Sequence, residues 1–290
     1  MNIKFKTAAD FRKSLETRLQ AHAKKTDIDL QRLRRKVAFD RFLARIFSKK
    51  DSNFFLKGGY AMELRVVYAR ATKDIDLTFI KRAKENEVLN ALILEDLQNL
   101  AMADLNDHFS YQIGKAQIDL ENAPYGGSRF PVSATIQGKI FVRFQVDVGG
   151  DFLLDKAEMI QGMDWLHFCD IPPPMIPMIS IEQQLAEKLH TYTLPRHERI
   201  NSRAKDLIDM TLLLNLRTPH FSEMVDTLQK VFQKRNTHPL PKKLNSPPPQ
   251  WDSQFIAMAI DCGLSEDMQT NFEKVSRFYD RIIYSVPKNA

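Results

Sequence analysis

The sequence predicts an α+β fold: a mixed β-sheet core of about five strands, preceded by a pair of helices and followed by a helical bundle. Three observations carry this reading. Apolar residues recur at helical spacing through residues 8–48, and short alternating segments then run from residue 53 to residue 148. Beyond the run Pro172-Pro173-Pro174-Met175-Ile176-Pro177, the periodicity is helical again.

Phe11, Leu15 and Leu19 place one helix over 8–24, and Leu33, Val37, Phe42 and Ile46 place a second over 29–48. The two are expected to pack as a pair on the sheet. Phe54-Phe55-Leu56 marks a strand near 53–57, followed by a helix over 59–69 and a second strand over 73–80. An amphipathic helix over 84–104 carries Val88, Leu89, Leu92, Leu97 and Leu100. Alternating segments near 109–120, 130–137 and 140–148 complete the sheet. The proline run cannot hold a regular helix and marks a junction, so domains over 1–171 and 172–290 are expected. The second reads as helices near 180–193, 203–216, 219–234, 252–260 and 265–285, with Pro239, Pro241 and Pro247-Pro248-Pro249 in a loop between them. There is no internal repeat and no low-complexity tail.

Composition excludes several classes. A chain of 290 residues with 43% hydrophobic and 27% charged residues can bury an ample core, and it lacks the composition of a disordered or fibrous protein. No run of about 18 apolar residues occurs and no signal-peptide pattern opens the chain, so a cytoplasmic protein without a membrane span is expected. Cys169 and Cys262 stand far apart with no second ligand pair beside them, so they read as buried thiols rather than a zinc site. A net charge of +6 favours polyanionic partners. Basic residues group at Arg32, Arg34, Arg35, Lys36 and Arg41; at Arg196, Arg199, Arg203 and Lys205; and at Lys230, Lys234, Arg235, Lys242 and Lys243. Each group alone reads as a solvated helix face, but with three of them beside a nucleotide site an RNA-binding rim is expected. No RNA-recognition motif with interleaved aromatics is present, so base-specific readout has no basis.

The chemistry concentrates in Lys57-Gly58-Gly59 and Asp74-Ile75-Asp76. A glycine pair at a strand-to-helix turn lets backbone approach an anion closely, with the free N–H groups of the helix aimed at it. In Asp74-Ile75-Asp76-Leu77 the pleat sends both carboxylates to one face and Ile75 and Leu77 into the core. Two carboxylates sharing a face repel unless a cation lies between them, and oxygen-only ligands beside a triphosphate-sized anion site suit Mg²⁺ or Mn²⁺. The glycine pair and the Asp pair on consecutive elements resemble the nucleotidyltransferase superfamily, and that resemblance implies a third carboxylate on a neighbouring strand. Phe141-Val142-Arg143-Phe144-Gln145-Val146-Asp147-Val148 supplies it, with Asp147 on the polar face beside Arg143 and Gln145. The arrangement reads as phosphoryl or nucleotidyl transfer, with Asp74, Asp76 and Asp147 as metal ligands and Lys57, Gly58 and Gly59 on the phosphates.

The stretch Phe55-Leu56-Lys57-Gly58-Gly59 … Arg70-Ala71-Thr72-Lys73-Asp74-Ile75-Asp76 resembles the signature of the AbiEii/AbiGii toxin family. These are nucleotidyltransferases of abortive-infection, type IV toxin–antitoxin systems. Glu182 … Ala186-Glu187-Lys188-Leu189-His190 and Arg203-Ala204-Lys205-Asp206-Leu207-Ile208-Asp209 resemble that family's helical motifs, in the expected order. The likeness covers about residues 10–215. It implies a nucleotidyltransferase-type sheet core, NTP as substrate, and a Mg²⁺ or Mn²⁺ cofactor. It also implies an RNA acceptor, with tRNA ends the leading candidate, and a cognate antitoxin encoded nearby. On the same ground Lys188 binds the triphosphate. Asp206 and Asp209, three apart on one helix face, include the acid that orients Lys188 or acts as general base. The residues do not choose between them, and Asp206 is the preferred candidate, with Asp209 capping or pairing with Arg203. Arg70 and Thr72 are candidates for phosphate oxygens. Tyr60 departs from the small residue usual after the glycines, and is expected to narrow the phosphate pocket. His190 reads as structural or as a rim contact, not as a catalytic base. Three other readings stand beside this one: nucleotidylation of a protein hydroxyl, a binding module without turnover, and an antibiotic nucleotidyltransferase.

Overall fold

A computed structural model describes residues 5–49, 52–80, 86–119, 126–150, 157–195 and 203–285. The chain divides into two compact units. One comprises Met1–Leu64, Ala71–Leu153 and Ala157–Met178; the other comprises Arg65–Arg70, Leu154–Lys156 and Ile179–Ala290.

The first unit is built on a mixed sheet. Helix α1 (Ala8–Thr26) begins where Thr7 Oγ1 accepts the Asp10 N–H at 3.1 Å, and α2 (Leu30–Ile46) where Asp29 accepts the Arg32 N–H at 2.8 Å. There follow β1 (Phe54–Lys57), α3 (Gly58–Arg65), β2 (Asp74–Phe79), α4 (Asn86–Ala101), β3 (Phe109–Ile113), β4 (Ile118–Asp119), β5 (Gly127–Ile136), β6 (Lys139–Gly150), β7 (Glu158–Gln161) and β8 (Met175–Met178). The strand order is β3-β5-β6-β2-β1-β8-β7, with β4 also on β5. At its centre β2 runs antiparallel to β1 and parallel to β6. The β5–β6 hairpin turns at Gln137 and Gly138, both at positive φ, as a two-residue turn requires.

Alternation explains the core. Ile75, Leu77 and Phe79 of β2 and Val146 and Val148 of β6 are fully buried, while the residues between them carry the polar groups. Phe39 and Phe42 of α2 pack on Phe144 of β6 with ring centroids 4.9 and 5.7 Å apart. Each such buried aromatic contributes about 1.5–3 kcal/mol. The helical pair therefore lies against the sheet as expected. Asp107 is buried between Arg41 (2.7 Å) and Arg45 (2.5 Å), which hold its carboxyl below the usual range against the effect of burial.

Sheet size differs from expectation: eight strands occur among the described residues, not about five. Two of the additional strands are β7 and β8. The latter lies within the proline run and pairs with β1 through Leu56 and Met178. It is short enough to tolerate Pro177, whose missing N–H removes one ladder donor, and it buries Ile176 and Met178 on alternate positions.

The second unit holds α5 (Ile181–Thr193), α6 (Ala204–Leu216), α7 (Phe221–Arg235), α8 (Asp252–Asp261) and α9 (Met268–Ser285). Ser180 caps α5 by accepting the Gln183 N–H at 3.1 Å. Helix α5 packs on α6 and α7, and α6 on α8 and α9. His190 is structural: its Nε2 lies 2.8 Å from Thr237 Oγ1, and its ring packs on Phe232 and His238. No helix among the described residues is long and apolar enough to cross a membrane.

Candidate active site

The sheet register gathers the three carboxylates. Asp76 is the direct partner of Asp147 across the parallel β2–β6 pair and of Lys57 across β1–β2; Asp74 lies two residues earlier on the same face. Asp74 and Asp76 project from the polar side while Ile75 and Leu77 anchor the strand below. Burial, then the charges of Asp74 and Asp147, pushes the Asp76 carboxyl up to about 6, against the pull of the Gly59 N–H and Lys57.

The glycine pair serves this carboxylate directly. Gly58 adopts φ +66°, and a Cβ placed there would lie 1.9 Å from Asp76 Oδ2, far inside any allowed approach. The next residue, Gly59, donates its N–H to the same oxygen at 3.2 Å. The anion met by the first turn of α3 is thus Asp76 itself. Glycine at 58 is demanded by both backbone conformation and space.

Two further groups fix the cluster. Thr72 Oγ1 donates to Asp74 Oδ1 at 2.8 Å, while its own backbone N–H donates to Glu63 at 2.7 Å. Glu63 is held in turn by Arg32 (3.1 Å) and Lys36 (2.9 Å). Thr72, a candidate for phosphate oxygens, here holds Asp74. The second group is Arg129 on β5, opposite Asp147 in the hairpin. Its Nε and Nη2 donate to both Asp147 oxygens at 2.7 Å, and Nη2 lies 3.8 Å from Asp74. That bidentate bond, with the added charge of Asp74 and Asp76, raises the guanidinium pKa further. Sequence reasoning missed Arg129.

The donor chemistry fits a hard divalent cation: three oxygen-only side chains meet across adjacent strands, one of them kept basic by burial and by the charge of the others. As they lie, with Asp147 held by Arg129, no three acidic, histidine or cysteine side chains among the described residues surround one point closely enough to bind a metal.

In the helical unit, Lys188 of α5 is buried with its Nζ 2.6 Å from Asp209 Oδ2 and 3.4 Å from Asp206 Oδ1, both on α6. Arg70 grips Asp209 from the other side through Nε (3.0 Å) and Nη2 (2.9 Å). Burial opposes charge on Lys188 and on Asp209, but the opposed charges prevail. Lys188 stays above the usual lysine range, and Asp209 below the usual carboxylate range. Of the two acids, Asp209 lies closer to Lys188 and also holds Arg70. It is Asp206 that lies near Arg203, at 3.6 Å. Arg70, expected on a phosphate, is here the clamp of Asp209.

Two expectations give way. Tyr60 faces the core at 1% exposure: its hydroxyl donates to Asp40 Oδ1 at 2.6 Å, so it does not narrow a phosphate pocket. Within the first basic group, Arg32 and Lys36 bind Glu63, Arg34 binds Glu16, and Arg41 is buried on Asp107. Four of the five residues of that group are therefore engaged within the fold. In the second group, Arg196 and Arg199 lie outside the described residues.

The model of the AbiEii nucleotidyl transferase toxin family, of type IV toxin–antitoxin systems, matches residues 41–281. The chain belongs to this family. It is therefore a nucleotidyltransferase toxin, and the family implies an NTP substrate and an antitoxin partner. Among solved structures, the fold is similar to MenT4, a nucleotidyltransferase toxin from Mycobacterium tuberculosis H37Rv. The identity is 14%, the TM-score 0.56, and the likeness covers 93% of this chain and 98% of that one. Weaker likenesses are to JHP933 from Helicobacter pylori (13% identity, 90% of this chain and 95% of that one, TM-score 0.48) and to a nucleotidyltransferase structure from the same organism (13%, 90% and 98%, 0.47). No curated protein matches the sequence.

Proposed function

We propose that this toxin transfers a nucleoside monophosphate from an NTP to a hydroxyl of an RNA acceptor, tRNA being the first candidate. The observation that supports this best is the register Lys57–Asp76–Asp147 across three adjacent strands, with Asp74 two residues away. It brings together the negative charge that a triphosphate-bound cation would neutralise. Asp74 and Asp76 would hold Mg²⁺ or Mn²⁺, and Asp147 would complete the ligand set once released by Arg129. A bound cation there supplies charge neutralisation of the phosphates and polarisation of the attacking hydroxyl. Asp147 is the group proposed to take the acceptor's proton as the acceptor oxygen bonds to the α-phosphorus and pyrophosphate departs. Gly58 and Gly59 keep Asp76 oriented for that work, and Lys57 and Arg70 remain candidates for phosphate charge. Lys188, ionised and held by Asp209 and Asp206, is proposed to carry charge for the triphosphate.

Incubation with Mg²⁺, each NTP labelled at its α-phosphate, total RNA and a protein lysate tests the acceptor. The proposal expects label in a tRNA-sized band. Label confined to protein would replace RNA by a protein hydroxyl as the acceptor. Binding of NTP without label in either fraction would leave a module without turnover.

A further inference from the structure

The helical unit carries an open groove of about 580 Å³ at the junction of α6 and α9, with an apolar floor that includes Leu214 and Leu264 and a rim that includes Asn215, Lys274, Arg277 and Arg281. It is distinct from the carboxylate cluster and from the Lys188–Asp209 pair, none of whose residues line it. Three features set it apart. First, Lys274, Arg277 and Arg281 fall at i, i+3 and i+7 of α9, hence on one stripe, while Phe272, Val275, Tyr279 and Ile282 are buried on another. Second, no acidic residue appears among the described lining. Third, these cations lack carboxylate partners among the described residues. Lys274 bonds the amide oxygen of Asn215, Arg277 Nε donates to the Glu273 carbonyl at 3.2 Å, and the Arg281 guanidinium makes no bond among the described residues. Elsewhere in the same unit, Lys230, Arg235, Arg217 and Arg203 are all ion-paired. Cations left without counter-ions around a concave groove that also offers apolar surface are placed for an anionic ligand.

The aromatic content narrows the ligand. Phe278 lines the cavity, and Tyr284, 86% exposed, follows Arg281 by three residues on the same helix. Rings beside a basic groove are the elements that hold single-stranded nucleic acid: cations follow the phosphates and bases stack on the rings. We propose that this α6–α9 groove is a docking site for a single-stranded segment of the RNA acceptor. The inference rests on the proposed RNA-acceptor reading and adds where the RNA is held.

The test is fluorescence anisotropy with a fluorescein-labelled single-stranded RNA oligonucleotide and no NTP, on the wild type, Arg277→Ala/Arg281→Ala and Asp76→Ala. Thermal melting checks that the variants are folded, and Lys274→Ala serves as the substitute if the double variant is not. The groove variant is expected to bind roughly ten-fold more weakly, and its slope of log K against log salt to fall by about 0.7 for each phosphate that it no longer neutralises. Asp76→Ala should bind RNA as the wild type does. Wild-type affinity and slope in a folded groove variant would overturn the groove while leaving the RNA acceptor standing. Failure of the wild type to bind RNA, with label entering protein instead, would overturn both.

Discussion

Gly58→Ala tests the tightest geometric claim in the site. Two effects add at this position. Holding alanine at φ +66° costs about 1–2 kcal/mol relative to glycine. The new methyl, placed 1.9 Å from Asp76 Oδ2, must also drive the carboxylate from its rotamer and break the 3.2 Å bond from the Gly59 N–H. A hydrogen bond to a charged group contributes about 1.5–3 kcal/mol, so the total comes to about 2.5–5 kcal/mol. A matched control exists within the same unit: Gly138 has φ +68° and nothing within 4 Å of a built Cβ. Gly138→Ala should therefore cost only the backbone share, about 1–2 kcal/mol, and leave activity alone. Urea denaturation of both variants isolates the Asp76 share by subtraction. Nucleotidyl transfer by Gly58→Ala should fall by about a hundred-fold or more, the scale of an ångström-sized displacement of a catalytic group. Equal stability losses in the two variants, with activity retained in Gly58→Ala, would refute the packing argument.

Four further outcomes are expected. Asp209→Ala leaves buried Lys188 and Arg70 without their shared partner and should lower stability by about 3–5 kcal/mol in chemical denaturation, whereas Asp206→Ala, at the longer distance, should lower it less. Equal losses would reverse that ranking. Arg129→Met frees Asp147, so Mn²⁺ titrated without nucleotide should bind about five-fold more tightly, the ~1 kcal/mol of a partly exposed ion pair; weaker binding would mean that Arg129 supports the metal site instead of competing for it. Thr72→Val removes the hydroxyl that holds Asp74 and should reduce transfer activity while changing the melting temperature little; unchanged activity would show that Asp74 needs no such support. Asp40 is raised by burial from its usual 3.8 to about 6, so it stabilises the fold below 3.8 and loses that contribution as pH rises through 6. The stability of wild type relative to Asp40→Asn should accordingly fall by about 2 kcal/mol between pH 4 and 7, and a flat difference would contradict the assignment.

Local features of the site were legible in the sequence, and features that depend on register were not. Gly58-Gly59 and Asp74-Ile75-Asp76 declare themselves because a turn and one pleat are enough to define them. Asp147 was reachable through the alternation of its own strand. Arg129 was not, for two reasons. Strand β5 begins at Gly127, three residues before the sequence suggests, and the β5–β6 register shifts at Ala134/Thr135, so counting back from the hairpin turn pairs Arg129 with the wrong residue. The first basic group misled because its counter-ions, Glu16, Glu63 and Asp107, come from other segments, and only the fold brings them near. Tyr60 misled because its place after the glycines says nothing of direction, and the first turn of α3 aims it at Asp40. Strand β8 hid behind its proline.

The most direct test of the central claim is metal-dependent transfer of an α-phosphate label from NTP to RNA by wild type, Asp74→Asn, Asp76→Asn and Asp147→Asn, each shown to be folded by its melting curve. The three carboxylates acting as one centre predicts that each variant loses label in RNA and that chelation of divalent metal abolishes it in the wild type. Robust labelling by any one of the folded variants, or by the chelated wild type, would contradict it.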